Sequence, residues 1–600
     1  MKQFFITVAG VFVGLLLFFV IVPFLLIGAI AGSLQGAAEK STASAAVLEL
    51  DLREGLRDQD STSPLFAFGG PNMSVMRVVD TLKRAEKDNK VKAVIVRLPE
   101  GGMAPAAADE LRSAFKRFRL SGKPIAAHSQ GLYADGMAVS TYMLAASTGE
   151  VWMQPSASFQ ATGVSTSEMF LKRLFDRYQV KAEFEQRYEY KNAVNPYLYD
   201  DFTPAHREAT LSWMGSIFNN AIAGAAQDRK LTPATLKTVI EGGPWSAEEA
   251  RAQKLIDKIG HVNQLEQEML RRAGDGAKLI EFGDYAAASM ITDRTRGPAI
   301  AVINAEGPIV TGAGEADPFA RESTIFSDEI AESFQKAIDD KDVKAIVFRV
   351  SSPGGSDTAS DQILSQVKAA KAAGKPVVVS MGTYAASGGY WISSEASHIV
   401  ANPSTLTGSI GVFGGKFVLG DLAARFGIDM RDANVGGEFS NAFSPTGSFT
   451  PEQRAKFSAW MDRIYEGFIE RVARGRKMPA ARVREIAKGR VWTGAQAKQL
   501  GLVDELGGFN TAVARAKALA GIDADQEVRL KRFPAEKTPF EALSEMFGVS
   551  SEGVRALAAV AWIASDPRAE ALMDRVAEAK MREGGRAAVL SVERIPEPAY

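Results

Sequence analysis

The chain contains no cysteine. That absence removes thiol catalysis, disulfides and cysteine-ligated metals together, and it suits a compartment where stray thiols would be oxidised. Histidine is nearly as scarce, with four in 600 residues: His128, His206, His261 and His398. Neither sign of charge is in excess, 70 basic residues facing 71 acidic ones, so nothing favours nucleic acid or an acidic partner. No Gly-Lys-Ser/Thr phosphate loop, His-Glu-x-x-His pair or paired metal-ligand spacing occurs, so neither ATP, a metal nor another cofactor is implied.

What is present is an ordinary globular composition, 46% hydrophobic and 24% charged, in a chain long enough for two to four domains. It begins with a nearly unbroken apolar run from Phe4 to about Ile30, with no charge between Lys2 and Glu39. At about 1.5 Å per helical residue this run can span a hydrocarbon core of roughly 30 Å. It exceeds a signal-peptide core, and we read residues 1–34 as an uncleaved transmembrane anchor. Lys2 and the terminal amine stay in the cytoplasm, which puts the remaining chain outside; the lack of cysteine agrees with that side.

From Ala45 onward the sequence repeats itself. Val91-Lys-Ala-Val-Ile-Val-Arg97 returns as Val343-Lys-Ala-Ile-Val-Phe-Arg349, and Gly122-Lys-Pro-Ile125 as Gly374-Lys-Pro-Val377. Phe202-Thr-Pro204 matches Phe449-Thr-Pro451, and Trp245-Ser246-Ala247 matches Trp492-Thr493-Gly494. The first repeat runs from 45 to 285 and the second from 298 to 530. In each, short β-branched runs alternate with helical patterns, the second reading as strand Ala299–Ile303, helix Glu329–Ile338, strand Ala345–Val350, helix Ser360–Ala373 and strand Pro376–Ser380. This alternation argues an α/β fold with helices packed on a mostly parallel sheet. Residues 533–600 fall outside the repeat and read as a helical extension with a proline-bearing tail.

Chemistry concentrates in Met381-Gly-Thr-Tyr-Ala-Ala-Ser387-Gly-Gly-Tyr-Trp391. A small-small-Ser-Gly-Gly sequence between a strand and a helix presents a hydroxyl on a tight turn and aims backbone N–H groups outward, where an oxyanion could be held. Ser351-Ser352-Pro353-Gly354-Gly355 follows the neighbouring strand. In a parallel sheet both turns emerge at one edge, so the N–H groups of Gly355 and Gly388 could form a two-donor oxyanion hole.

Arg349…Ser-Pro-Gly-Gly355, Ala386-Ser387-Gly-Gly-Tyr390 and Asn402-Pro403…Thr407-Gly-Ser-Ile-Gly411 together resemble the signal peptide peptidase A (protease IV) family in its long, two-repeat form. The resemblance covers roughly residues 45–530 and the anchor. It implies two tandem repeats of the ClpP/crotonase type and a serine endopeptidase with a Ser-Lys dyad. It further implies a bacterial inner-membrane location with the catalytic part on the periplasmic side, peptide substrates such as cleaved signal peptides, and homotetrameric assembly. On it, Ser387 is the nucleophile, Gly355 and Gly388 are the hole donors, and Ser409 orients the lysine.

The residues support a lysine base independently, because no histidine stands some two dozen positions after Ser387. The family's lysine motif matches Tyr188-Glu-Tyr-Lys191-Asn-Ala-Val-Asn-Pro196. Aligned repeats pair Lys191-Asn192-Ala193 with Ser440-Asn441-Ala442, so the second repeat has lost that lysine. The position matching Ser387 is Asp135 or Gly136, so the first repeat has no serine. Each repeat therefore holds half of a dyad. As a base near neutral pH, Lys191 needs burial to lower its pKa, and Tyr188, Tyr190, Tyr197 and Tyr199 are expected to supply a semi-apolar pocket. Lys416, after Gly414-Gly415, is a rival base, while His128 and Asp135 read as relics of a lost site. Two other functions stay open: a crotonase-type acyl-CoA enzyme, which needs carboxylates where Ser387 stands, and a non-catalytic membrane scaffold built on degenerate repeats.

Overall fold

A computed structural model describes residues 44–60, 73–292, 297–314 and 323–535. The expected N-terminal anchor and C-terminal extension lie outside these residues, apart from strand and loop positions up to 535. Among the described residues no helix is long and apolar enough to cross a membrane.

The first repeat builds one six-stranded sheet in the order Lys258–Ile259, Val151–Met153, Ile125–Ser129, Val91–Arg97, Ala46–Asp51 and Lys278–Glu281, all neighbours parallel. The second repeats the order with Glu505–Leu506, His398–Ala401, Val377–Ala386, Val343–Ser352, Ala299–Glu306 and Arg529–Phe533, again parallel. A short antiparallel pair, Leu406–Gly408 with Val491–Thr493, joins this second sheet beside Tyr384–Ala386. Its first-repeat counterpart, Ser158–Phe159 with Trp245–Ser246, remains separate. The central strands read Val/Ile/Ala on both faces because helices cover both, and Val94, Ile95, Val96, Ile346, Val347 and Phe348 are wholly buried.

The duplication extends to side-chain detail. Helices Pro204–Arg229 and Pro451–Arg476 are both 26 residues long. Each opens with a threonine cap (Thr203, Thr450) followed by proline, and each ends at a lysine in the left-handed region (Lys230, Lys477). Tyr142 donates to the Leu255 carbonyl and Tyr390 to that of Leu502, at 3.1 and 2.9 Å. Arg229 pairs with Asp257 as Arg476 pairs with Asp504.

Several predicted elements are longer in the structure. The strand expected at Pro376–Ser380 continues to Ala386, and that expected at Ala345–Val350 covers Val343–Ser352. Half of the glycine-rich stretch is therefore strand, because Tyr384–Ala386 gain a partner in Leu406–Gly408. The helix begins at Asp357 rather than Ser360, where the Ser356 side chain accepts from Ala359 N.

Two of the contacts between the repeats bear most on the site. Strand Lys181–Arg187 of the first pairs antiparallel with Val412–Val418 of the second over seven residues. Deeper in, Arg349 is fully buried and donates to Asp58 and Glu110, both from the first repeat, and to Ser380 Oγ at 2.9 Å. The Asp58 and Glu110 carboxylates hold the Arg349 guanidinium well above its usual range despite its burial.

Candidate active site

Ser387 stands where strand Val377–Ala386 meets helix Gly388–Ser393. Its φ of 54° and ψ of −117° place a non-glycine residue in a sparsely populated region, at a cost of about 1–3 kcal/mol. The surroundings enforce that conformation: Ser387 N donates to the Gly408 carbonyl at 2.9 Å, and Trp391 N donates to the Ser387 carbonyl at 2.9 Å. A Cβ on Gly389 would lie 2.6 Å from the Ser352 carbonyl oxygen, which explains the second glycine of the motif.

The Pro-Gly-Gly turn comes alongside, as the parallel sheet requires. A Cβ on Gly388 would sit 3.0 Å from Gly355 N, so the two turns abut. At Gly355 the chain passes so close to Ile309 that a Cβ would lie 2.0 Å from its carbonyl oxygen, a contact only glycine permits. The hydrogen bonds of this crossing run from Ile309 N to Gly354 O and from Ser356 N to Ile309 O, bypassing the Gly355 N–H.

Lys191 arrives from the other repeat. The pairing of Lys181–Arg187 with Val412–Val418 carries the chain past Ser409 and turns it inward, so Lys191 Nζ lies 2.9 Å from Ser387 Oγ. The same amine donates to Ser409 Oγ at 2.9 Å and to the Ser409 carbonyl at 3.1 Å. Lys191 and Ser387 are both wholly buried. These polar partners are uncharged, and burial pushes the Lys191 ammonium down to about 7. In the neutral amine, two N–H bonds can serve the Ser409 oxygens and the lone pair then faces the Ser387 hydroxyl.

The tyrosines do not build this pocket. Tyr188 and Tyr199 are about half exposed, Tyr197 packs among Phe175, Phe184 and Phe417, and Tyr190 stacks on Arg490. Backbone from the second repeat seals it instead. Gly489, at φ +81°, approaches so closely that a Cβ would lie 2.5 Å from Lys191 Cβ. Tyr190 N donates to the Lys488 carbonyl, Gly489 N to that of Ile410, and Ser409 N to that of Arg490 at 2.7 Å. Sequence reasoning missed this turn. Its available signal was the Lys488-Gly-Arg490 sequence, one residue before the repeated Trp492-Thr493 motif.

The rival residues have structural partners. Lys416 Nζ donates to the carbonyls of Ser444 and Gly447 and lies over the Phe449 ring, away from Ser387. His128 Nε2 lies 3.1 Å from the Gly260 carbonyl, and burial pushes its pKa down to about 4. His398 meets Glu505 at the start of its strand. Asp135 is exposed, and among the described residues no lysine of the second repeat pairs with it.

A serine on a strained strand-to-helix turn, facing a buried amine, is a geometry that suits a serine hydrolase. The comparisons with known proteins place it more narrowly. The profile of peptidase family S49 matches residues 117–276 and again 369–523, once in each repeat. "Protease 4" of Salmonella typhi is 34% identical over 511 residues, covering 81% of this chain and 80% of that one. The chloroplastic "Serine protease SPPA" of Arabidopsis thaliana is 27% identical over 514 residues, 85% and 74% of the two chains. Among solved structures, a ClpP1 variant from Listeria monocytogenes aligns over 35% of this chain and 94% of its own, at 13% identity and a TM-score of 0.22, too loosely to bear on the fold. The chain belongs to peptidase family S49 and is a serine protease with the family domain present twice.

Proposed function

We propose that this protein is a membrane-anchored endopeptidase whose single active site is a Ser387–Lys191 dyad completed across the two repeats. The observation that carries the reading is the 2.9 Å contact between Lys191 Nζ and Ser387 Oγ, both buried, with no other charge on the amine's partners. Neutral Lys191 takes the hydroxyl proton as Ser387 Oγ bonds to the substrate's carbonyl carbon. The oxyanion is held by the N–H groups of Gly355 and Gly388. Lys191 returns its proton to the leaving amine as the peptide bond breaks, leaving an acyl-enzyme on Ser387. Water then attacks that ester, giving its proton to Lys191, and the proton passes back to Ser387 Oγ as the acid product leaves. Ser409 holds the amine throughout by accepting two of its N–H bonds.

The substrates proposed are cleaved signal peptides and other apolar peptides, met at the bilayer by a catalytic part that residues 1–34 tether on the periplasmic side of the inner membrane. The ClpP/crotonase-type frame and the homotetramer belong to the same reading. The repeat itself supports assembly. Within the chain, strand Lys181–Arg187 of the first repeat pairs with Val412–Val418 of the second. The corresponding segments for the reverse pairing, around 430–436 and 163–169, form no strand; the first is exposed and the second partly so, leaving both open to pairing in a head-to-tail ring.

The test is hydrolysis of a fluorogenic apolar peptide and of a synthetic signal peptide by the full chain in detergent micelles. Parent activity abolished separately by S387A and by K191A is the expected result. Retained hydrolysis in either variant sinks the dyad, and an inactive parent favours the scaffold. Hydrolysis confined to acyl-CoA thioesters would favour a crotonase-type enzyme.

A further inference from the structure

The turn that seals the Lys191 pocket is itself fastened by one side chain. Arg490 follows Gly489, and its guanidinium lies between two rings, 4.8 Å from the centroid of Tyr190 and 4.4 Å from that of Trp492. Both terminal nitrogens donate to Glu208, each at 2.7 Å. Tyr190 immediately precedes Lys191, and Glu208 lies on helix Pro204–Arg229, so both anchors belong to the first repeat. Trp492 and the backbone of Arg490 belong to the second. The Arg490 carbonyl holds Ser409 N, and Ser409 supplies both oxygens that accept from the Lys191 amine.

We propose that Arg490 is a positioning residue for the dyad: clamped between Tyr190 and Trp492 and paired with Glu208, it keeps the Lys488–Arg490 turn closed over Lys191. This rests on the dyad reading above. The geometry asks for arginine in particular, because a planar guanidinium can stack on two aromatic faces and fork onto a carboxylate at once, whereas lysine offers only a point charge. Glu208 is itself half exposed, so the ion pair alone contributes little; the stacked plane is what fixes the turn.

Opening the turn would admit water beside the Lys191 amine. The charged groups on the segments packed around it are Arg187, Glu189 and Glu208 from the first repeat and Lys488 and Arg490 from the second. They are paired outside the pocket, Arg187 with Asp462, Glu189 with Lys488 and Glu208 with Arg490. The acid limb of the activity profile therefore reads chiefly the hydration of Lys191. Hydration returns the ammonium towards its ordinary value, so the limb moves to higher pH.

The experiment measures kcat and KM against pH for the full chain in micelles with the fluorogenic peptide. It compares the parent with R490A, R490K and E208Q, with K191A and S387A run in parallel. For R490A the expected result is a fall in kcat of about 10- to 100-fold, KM within about twofold, and an acid limb raised by at least about half a unit. R490K recovers part of kcat and part of the limb shift, and E208Q changes both least. If R490A does not fold, R490K decides by the same two readouts. An acid limb unmoved in the folded arginine variants, with activity lost only in proportion to the folded fraction, overturns the proposal. Activity retained by K191A or S387A would instead overturn the dyad, and that outcome is visible in the parallel arms alone.

Discussion

The two repeats have the same sheet order, the same capped long helices and the same Tyr-to-carbonyl and Arg–Asp pairs, yet only the second carries a serine at the strand-to-helix turn. One difference lies at a strand end. Ile125–Ser129 in the first repeat is half the length of Val377–Ala386 in the second, which runs on to pair with Leu406–Gly408 and delivers Ser387 at its tip. Conversely, strand Lys181–Arg187 leaves the first repeat to pair with the second, while the equivalent region of the second, around 430–436, pairs with no strand among the described residues. On the proposed dyad, a duplicated frame divides one active site between its copies, each keeping the half that the other has discarded.

The strongest way to break this comparison is to remove either half. S387A and K191A should each lower kcat/KM by about 10⁴-fold or more, and the double variant should be no worse than the singles, because the two groups act as one unit. Additive losses in peptide turnover would mean that the halves work separately.

Next comes the joint between the repeats. R349M leaves Asp58 and Glu110 buried without their cation and should cost about 3–5 kcal/mol, read by denaturant unfolding. A loss below about 1 kcal/mol would show that the joint does not depend on this cluster.

Gly489 sharpens the comparison at the site. G489A forces a Cβ into Lys191, so kcat should fall about 100-fold with folding retained. Near-parent kcat would show that the amine tolerates displacement.

The pH dependence is gentler. On the proposed dyad neutral Lys191 is the active form, and burial lowers its ammonium to about 7, so activity should be present above that pH and fall towards tenfold per unit below it. The sign for stability follows from the same lowered value. A K191M variant should gain stability over the parent as pH drops from about 10.5 to about 7, the gain levelling off below, since only the parent must then bury a charge. Melting curves across that range check it.

The smallest expected effect is none. D135S, made in the S387A background, should restore no hydrolysis, because the second repeat offers Ser440 and Asn441 where a lysine is needed. Any recovered turnover would show that the first repeat still holds a usable site.

The duplication, the α/β alternation and the serine and lysine halves were all legible along the chain, because periodicity, turn glycines and repeated motifs are local patterns. Strand lengths were less so. Tyr384–Ala386 become strand only through a partner some twenty residues on, and no local preference announces that. The tyrosines around Lys191 were misread for a related reason: spacing places them near the lysine in sequence, but packing turned Tyr197 into an aromatic cluster and Tyr190 onto Arg490.

By itself, then, the sequence settled which residue types could do the chemistry: with no cysteine and no histidine in place, a serine nucleophile had to look to lysine. Only the tertiary structure decided that the Lys191 amine meets Ser387 in a buried setting, the condition that the proposed base requires. Its lowered ammonium, the Ser409 acceptors and the Gly489 seal all come from segments some two to three hundred residues away, and desolvation is a property of everything packed around an amine rather than of its neighbours in the chain.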